Sequence, residues 1–236
     1  MEFYIIGLED RPQPVFSEEV REILKTHRIF SGGKRHAELV ASQLPDDRLW
    51  IDIKVPLQAV FRTYEAYEEI VVFASGDPLF FGFANTIRKF MPEAVIHVYP
   101  CFHSLQTLAH RLILPYQDMH MVSLTGRSWH EFDRALIEGK AKIGVLTDHR
   151  HPPAAIAERM LEYGYDNYRM SVGEKLGNPE ECIRQLTIAE AAVTDFGTPN
   201  CLILEKTNSR QRFLGIPEEA FFLLNGRERM ITKMPV

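Results

Sequence analysis

Cysteine is scarce in this 236-residue chain: Cys101, Cys182 and Cys201 are widely spaced and form no C-x-x-C pair. That spacing excludes a disulfide framework and a zinc-ribbon site, and it suits a reducing compartment. Long apolar runs are also missing. The longest, residues 3–8, 70–74, 143–146 and 201–204, fall far short of the roughly 20 residues a membrane span needs. Charge of one sign does not accumulate either. With 27 Lys and Arg against 32 Asp and Glu, and no Lys/Arg run longer than two, there is no electrostatic footprint for nucleic acid. Met1-Glu2-Phe3 leads straight into a strand-like stretch with no basic region followed by a cleavage site, so a cytoplasmic location is expected. G-x-G-x-x-G, P-loop and G-x-S-x-G motifs do not occur.

What is present is alternation. Residues 3–7 read as a buried strand closed by Gly7, and Ser17 then looks like an N-cap, with Glu18 and Glu19 in the first turn and Val20, Ile23 and Leu24 on one helical face. A strand at 70–74 leads through Ser75-Gly76-Asp77-Pro78 into a helix expected at 79–90. A strand at 95–99 leads through Pro100 into a helix at about 104–113. Leu114-Pro115-Tyr116 interrupts the rhythm. A second series follows: strand 121–124, helix 129–138 closed by Gly139, strand 143–147, helix 153–163 closed by Gly164, strand 168–172, a helix expected at 182–192, and strand 201–204. Such alternation means an α/β protein. Two halves are expected, residues 1–114 and 115–210, with 211–236 as a linker or the start of something further.

Loops that follow strand C-termini are where open α/β sheets bind ligands. Three stand out. Ser75-Gly76-Asp77-Pro78-Leu79-Phe80-Phe81-Gly82 offers a close backbone approach at Gly76, although a plain Asp-Pro turn capping a helix is the bland alternative. Pro100-Cys101-Phe102-His103-Ser104 opens a helix whose free N–H groups suit a carboxylate, and His103 is equally readable as a cap. Thr147-Asp148-His149-Arg150-His151 packs polar groups before a helix, but its X-His-X-His spacing has no further ligand nearby, and no metal is expected.

Taken together these loops resemble one family. Residues 74–82 resemble the signature turn of the tetrapyrrole (corrin/porphyrin) methylases, and the subfamily most resembled is that of the precorrin-6Y and cobalt-precorrin-7 C-5 methyltransferases. Gly32-Gly33-Lys34-Arg35-His36 resembles the basic turn before that subfamily's second helix. Leu105-Gln106, Arg111-Leu112, Leu114-Pro115 and Gln117-Asp118 resemble its central segment, Val122-Ser123-Leu124-Thr125-Gly126-Arg127 its V-S-L-H-G-R stretch, and 172–177 its V-x-E-x-L-G turn. The family's G-x-G-P-G first loop is here Gly7-Leu8-Glu9-Asp10-Arg11-Pro12, bulkier and acidic, and Thr125 stands in place of a histidine.

The resemblance implies two α/β/α domains with an inter-domain cleft for S-adenosylmethionine, C-methylation of a precorrin in cobalamin biosynthesis, and a homodimer. It implies cofactor contacts from Ser75, Gly76, Asp77, Phe80, His103, Ser104, Leu146, Thr147, Leu176, Gly177 and Asn200. Lys34, Arg35 and Arg127 are the expected partners of substrate carboxylates, and His36 and His103 the candidates for a general base. Rival readings are a non-catalytic methylase-like binding module and a same-fold methylase acting on a protein, of the diphthine synthase type. Finally, the apolar stretches 213–221 and 229–233 resemble the beginning of the C-15 methyltransferase and decarboxylase fused behind this domain in some relatives, so a fused C-terminal domain is expected.

Overall fold

A computed structural model describes residues 1–209; the stretch expected to lead into a fused domain lies outside the described residues. Two five-stranded sheets carry the fold. The first is built from β1 (Glu2–Leu8), β2 (Ile29–Gly32), β3 (Leu49–Asp52), β4 (Glu69–Ser75) and β5 (Val95–Tyr99), all parallel, in the order β3-β2-β4-β1-β5. Its central strands are apolar on both faces because helices cover both. Phe3, Ile5, Ile70 and Val72 face helices α3 (Leu57–Tyr64) and α4 (Phe83–Phe90). Ile6, Leu8, Val71 and Phe73 face α1 (Glu18–Thr26) and the end of α2 (Lys34–Val40).

The second sheet has the order β6-β7-β10-β8-β9, from β6 (His120–Ser123), β7 (Lys142–Leu146), β8 (Tyr168–Glu174), β9 (Cys182–Thr187) and β10 (Asn200–Lys206). Only β6 and β7 are parallel; the other pairings are antiparallel. Helices α6 (His130–Ile137), α7 (Pro153–Glu162) and α8 (Ile188–Ala192) bury one face. The other face is covered by α5 (Ser104–Leu112), whose Leu105, Leu108 and Ala109 pack on Cys201 and Ile203. Helix α5 therefore follows a strand of the first sheet but packs on the second. Among the described residues no helix is long and apolar enough to cross a membrane.

Three sequence expectations need correction. The helix expected at 79–90 begins only at Phe83, because the Asp77 carboxylate and carbonyl accept from the Leu79 and Phe80 amides and Phe81 is left-handed (φ 52°). The helix expected at 182–192 is a strand followed by a short helix. Ile183 and Leu186, three apart, suggest a helical face, but β9 pairs with β8 along its whole length, and the Thr187 hydroxyl caps α8 with Glu190 answering. Lys34-Arg35-His36 is the first turn of α2 rather than a turn before it.

Between β2 and the edge strand β3 of the first sheet, the buried Ser31 hydroxyl lies 2.7 Å from both the Ile51 carbonyl and the Tyr64 hydroxyl. The carbonyl can only accept, so Ser31 donates to it and Tyr64 donates to Ser31. Tyr64→Phe then removes one hydrogen bond and costs about 1 kcal/mol, whereas Ser31→Ala strands a buried phenol and costs about 1–3 kcal/mol. Urea denaturation of the two variants checks that order.

Candidate functional site between the sheets

Strands β1, β4 and β5 end side by side, with Leu8 opposite Ser75 and Ile6 opposite Tyr99. Their following loops therefore leave one edge of the sheet together, and they pack backbone to backbone. The Gly76 amide donates to the Leu8 carbonyl (2.8 Å). A Cβ on Gly7 would overlap the Gly76 carbonyl oxygen and come within 2.8 Å of the Cys101 nitrogen. Gly76 is left-handed (φ 64°), and a Cβ there would come within 2.8 Å of the His103 Cα. Glycine is thus required at both positions by the approach of neighbouring backbone. The Cys101 thiol sits inside this junction, pushed up to about 12 by burial, and is unreactive there.

Above the junction lies a cleft of about 490 Å³, within the range of about 300–1,000 Å³ typical of small-molecule sites. Two histidines line its first-sheet side. His103 is N-cap to α5: its Nδ1 accepts from the Gln106 amide (3.3 Å), while the Gln106 side chain accepts from the His103 amide. Its ring is 8% exposed and stacks on Phe80, centroids 3.8 Å apart. Burial pushes it down to about 4. In α2, the His36 Nδ1 accepts from the Gly33 amide (3.3 Å), and its Nε2 lies 2.9 Å from the Ser75 hydroxyl. Burial, aided by the Arg35 charge, pushes His36 to about 4 as well. Both rings are neutral near pH 7. A neutral ring whose Nδ1 accepts an amide N–H carries its proton on Nε2. Ser75 therefore accepts from His36, which leaves the serine's own O–H to donate elsewhere. Each lone pair is committed to backbone, so these histidines present donors. In His36 and His103, the two candidates for a general base, the Nδ1 lone pair is engaged by the Gly33 and Gln106 amides respectively.

The opposite side is built at the ends of β7, β8 and β10. The Thr147 hydroxyl lies 2.6 Å from the backbone and side-chain oxygens of Asn200, whose amide donates to Gly197 (2.7 Å). Glu174 accepts from the Gly197 amide and pairs with Arg184, and the Lys175 amide donates to Pro199 (2.8 Å). These bonds brace the 197–200 segment that lines the cleft. Leu146 and Leu176 supply apolar wall, and left-handed Gly177 (φ 87°) lies near the Asp10 carbonyl.

Charge at the cleft comes in pairs. Arg35 pairs with Asp10, Arg11 with Glu9 (3.4 Å), and Arg111 with Glu181 (2.6 Å). Glu181 also accepts from the Gly177 amide (2.6 Å), and the Arg111 guanidinium beside it holds its carboxyl below the usual range. Among the described residues no group of three or more His, Cys, Asp and Glu side chains is placed to hold a metal ion. Asp148 and His151 instead bond to each other (2.8 Å), and Asp148 also accepts from the Gly126 amide, tying the 125–127 loop down.

The family model of the Tetrapyrrole (Corrin/Porphyrin) Methylases matches residues 15–192. The chain belongs to this family. Among curated relatives, a Sinorhizobium protein named Precorrin-6Y C(5,15)-methyltransferase [decarboxylating] is 29% identical over 180 residues, 75% of this chain and 43% of that protein. The chain thus spans less than half of that relative's length. A Salmonella typhimurium protein named Cobalt-precorrin-7 C(5)-methyltransferase is 26% identical over 86% of this chain and 98% of its own length. The solved precorrin-6Y methylase of Archaeoglobus fulgidus superposes with a TM-score of 0.61 at 19% identity, covering 89% of this chain and 98% of the other. A Thermus thermophilus uroporphyrin-III C-methyl transferase complexed with S-adenosyl homocysteine gives 0.66, also at 19%, over 88% and 98%. These two likenesses establish the tetrapyrrole methylase fold.

The cleft gathers most of the expected residues: Ser75, Gly76, Phe80, His103 and Ser104 on one side, and Leu146, Thr147, Leu176, Gly177 and Asn200 on the other, with Arg35 and His36 at the edge. Three fall elsewhere. The Asp77 carboxylate accepts from the Leu79 amide (2.8 Å) as a turn cap. Lys34 lies exposed on the first turn of α2. Arg127 lines a separate groove beyond Phe80. Residues 8–11, noted in the sequence only as a departure from the family's first loop, and one face of α5, with Thr107, His110 and Arg111, also line the cleft without having been expected as contacts. The position of 8–11 directly after a central strand, and the spacing of Ser104, Thr107 and Arg111 three and four apart, were the available signals.

The histidines set a pH dependence. Their folded values near 4 lie below the ordinary 6.5, so between these limits the unfolded chain binds more protons. Their contribution to stability is complete above about pH 6.5 and is lost as pH falls toward 4. Long-range ¹H–¹⁵N spectra at about pH 6 should show both rings as neutral Nε2–H tautomers; an imidazolium pattern at either would refute the assignment.

Proposed function

We propose that this chain transfers a methyl group from S-adenosylmethionine, bound in the cleft, to ring carbon C-5 of a precorrin in cobalamin biosynthesis. The observation that carries the reading is the match to a protein named for that reaction over 98% of the latter's length, joined to a cleft whose floor tolerates only glycine. When bound, S-adenosylmethionine supplies an electrophilic methyl group on a sulfonium. Displacement by an electron-rich carbon needs alignment and exclusion of water more than a strong acid or base. The donor-only histidines suit that demand. The Ser75 hydroxyl, backbone near Gly76 and the His103 Nε2–H are directed donors for the cofactor's carboxylate end. Phe80, Leu146 and Leu176 provide apolar walls, and Thr147 and Asn200 brace the adenosine side through their mutual bond. Arg35 and Arg111, each held ready by a carboxylate, are the forks for acceptor carboxylates.

The reading carries with it a cytosolic setting and a homodimer, the commonest closed assembly. It also carries a fused C-15 methylating and decarboxylating domain, supported by the length of the Sinorhizobium relative. A monomer mass in light scattering at high protein concentration overturns the dimer, and a stop codon directly after Val236 in the encoding frame overturns the fusion.

Binding of S-adenosylhomocysteine by calorimetry tests the cleft. Gly76→Val, which drives a side chain against His103, should weaken it by at least about tenfold, while Asp77→Ala, outside the cleft, should leave affinity near that of the natural chain. Unchanged binding by Gly76→Val rejects this placement. Mass spectrometry and NMR of the product from purified precorrin intermediates test the reaction, and a methyl found at any carbon other than C-5 rejects the regiochemistry.

A further inference from the structure

One hydrogen bond joins two segments that the sequence keeps apart, since its ends, His36 and Ser75, are separated by 39 residues. The basic segment 32–36 closes β2 and opens α2, and the 74–82 turn leaves β4, the strand beside β2. Gly33, the N-cap of α2, has no side chain with which to cap the helix, and His36 reaches back to it, Nδ1 accepting from the Gly33 amide (3.3 Å). Gly32 leaves room for that return: a Cβ there would come within 3.1 Å of the His36 Cβ. A glutamine or glutamate at this third helical position would cap as well. What imidazole adds is a second nitrogen, and His36 Nε2 crosses to the Ser75 hydroxyl (2.9 Å). Burial, and then the Arg35 charge, push the ring down to about 4, so the neutral donor is the form present near pH 7.

A serine hydroxyl has one proton to give and two lone pairs. With His36 donating, Ser75 is held as an acceptor on one side, and its own O–H has no other partner among the described residues. Ser75 is the exposed last residue of β4 and lines the cleft beside Gly76. We infer that His36 is a positioning residue, whose Nε2–H fixes the Ser75 hydroxyl so that the serine's O–H is turned to the carboxylate of the methyl donor's amino-acid end. A hydroxyl that accepts one hydrogen bond is polarised to give a stronger one, and an anionic acceptor gains most from it. The ring acts through the serine and takes no proton. This rests on the reading of the cleft as the S-adenosylmethionine site, and it gives His36 a part other than that of a base.

Calorimetry on the full chain with two nucleosides tests it: S-adenosylhomocysteine, which carries the amino-acid end, and 5′-methylthioadenosine, which lacks it. His36→Asn sets an amide oxygen near the place of Nδ1, keeping the cap on Gly33 while losing the donor to Ser75. His36→Gln carries its amide nitrogen out to the reach of Nε2 and restores that donor. His36→Asn should weaken S-adenosylhomocysteine about fivefold or more, and His36→Gln should stay within about twofold of the natural chain. Neither should alter methylthioadenosine affinity. Ser75→Ala should lose as much as His36→Asn, and the two combined should lose no more than either, as expected of groups acting in series. Natural affinity for S-adenosylhomocysteine in His36→Asn, additive losses, or His36→Gln no tighter than His36→Asn overturns the role. So does a parallel fall for methylthioadenosine, which is what a merely structural histidine would produce. Failure of the natural chain to bind either nucleoside overturns the cleft reading and the positioning role with it, whereas binding of both with no separation between them overturns the positioning role alone.

Discussion

The contact on which the rest of the site depends is the backbone approach of Gly7, Gly76 and His103. Three parallel strands stop at one level, and their loops can fold over one another only because two of them carry no side chain at the crossing. With that crossing closed, the Gly76 amide finds the Leu8 carbonyl, and His103 is held where its ring can cap α5 and lie flat on Phe80. A methyl group at either glycine would push these loops apart. Cleft floor, helix start and ring stack therefore share one steric cause. Because α5 packs on the second sheet, the same crossing also anchors the segment that passes from one sheet to the other.

Proton and charge placement follow from this packing. His36 and His103 spend their lone pairs on helix amides, so burial and capping together make them neutral donors. A cleft built this way has little capacity to move protons and much capacity to orient. Arginines there are neutralised in advance by Asp10, Glu9 and Glu181, which limits repulsion while the cleft is empty of anions and keeps the guanidinium groups pointed. The acidic first loop, a departure from the glycine-rich pattern the sequence resembles, thereby acquires a physical part: its carbonyl at Asp10 approaches Gly177 and its carboxylate holds Arg35.

Much of the fold was legible in residue order. Long apolar strands such as residues 70–74, capped helices such as the one begun by Ser17, and stops at Gly139 and Gly164 were readable because local chemistry and tertiary role agree there. The four-residue strands β2 and β3 carried too few residues to show a period, and β9 looked helical because Ile183 and Leu186 lie three apart, although it pairs with the preceding strand β8. At the site, strand-end loops pointed to Ser75, Gly76 and His103. Asp77 and Arg127 were grouped with them by motif, yet one bonds its own turn and the other faces a different hollow.

By itself, then, the sequence determined the α/β class, the strand-end loops that line the cleft, and the family through its Gly-Asp-Pro turn and basic segment, since these depend on periodicity and on contacts a few residues apart. Which nitrogen of each histidine bears the proton, which arginines are paired, where Arg127 points and which sheet α5 covers were decided only by the tertiary structure. The Arg35–Asp10 and Arg111–Glu181 pairs, the Arg127–Phe81 contact and the seat of α5 depend on partners far apart in the chain, and the histidine tautomers, set by amides three residues away, depend on where two helices begin, which neither periodicity nor spacing encodes.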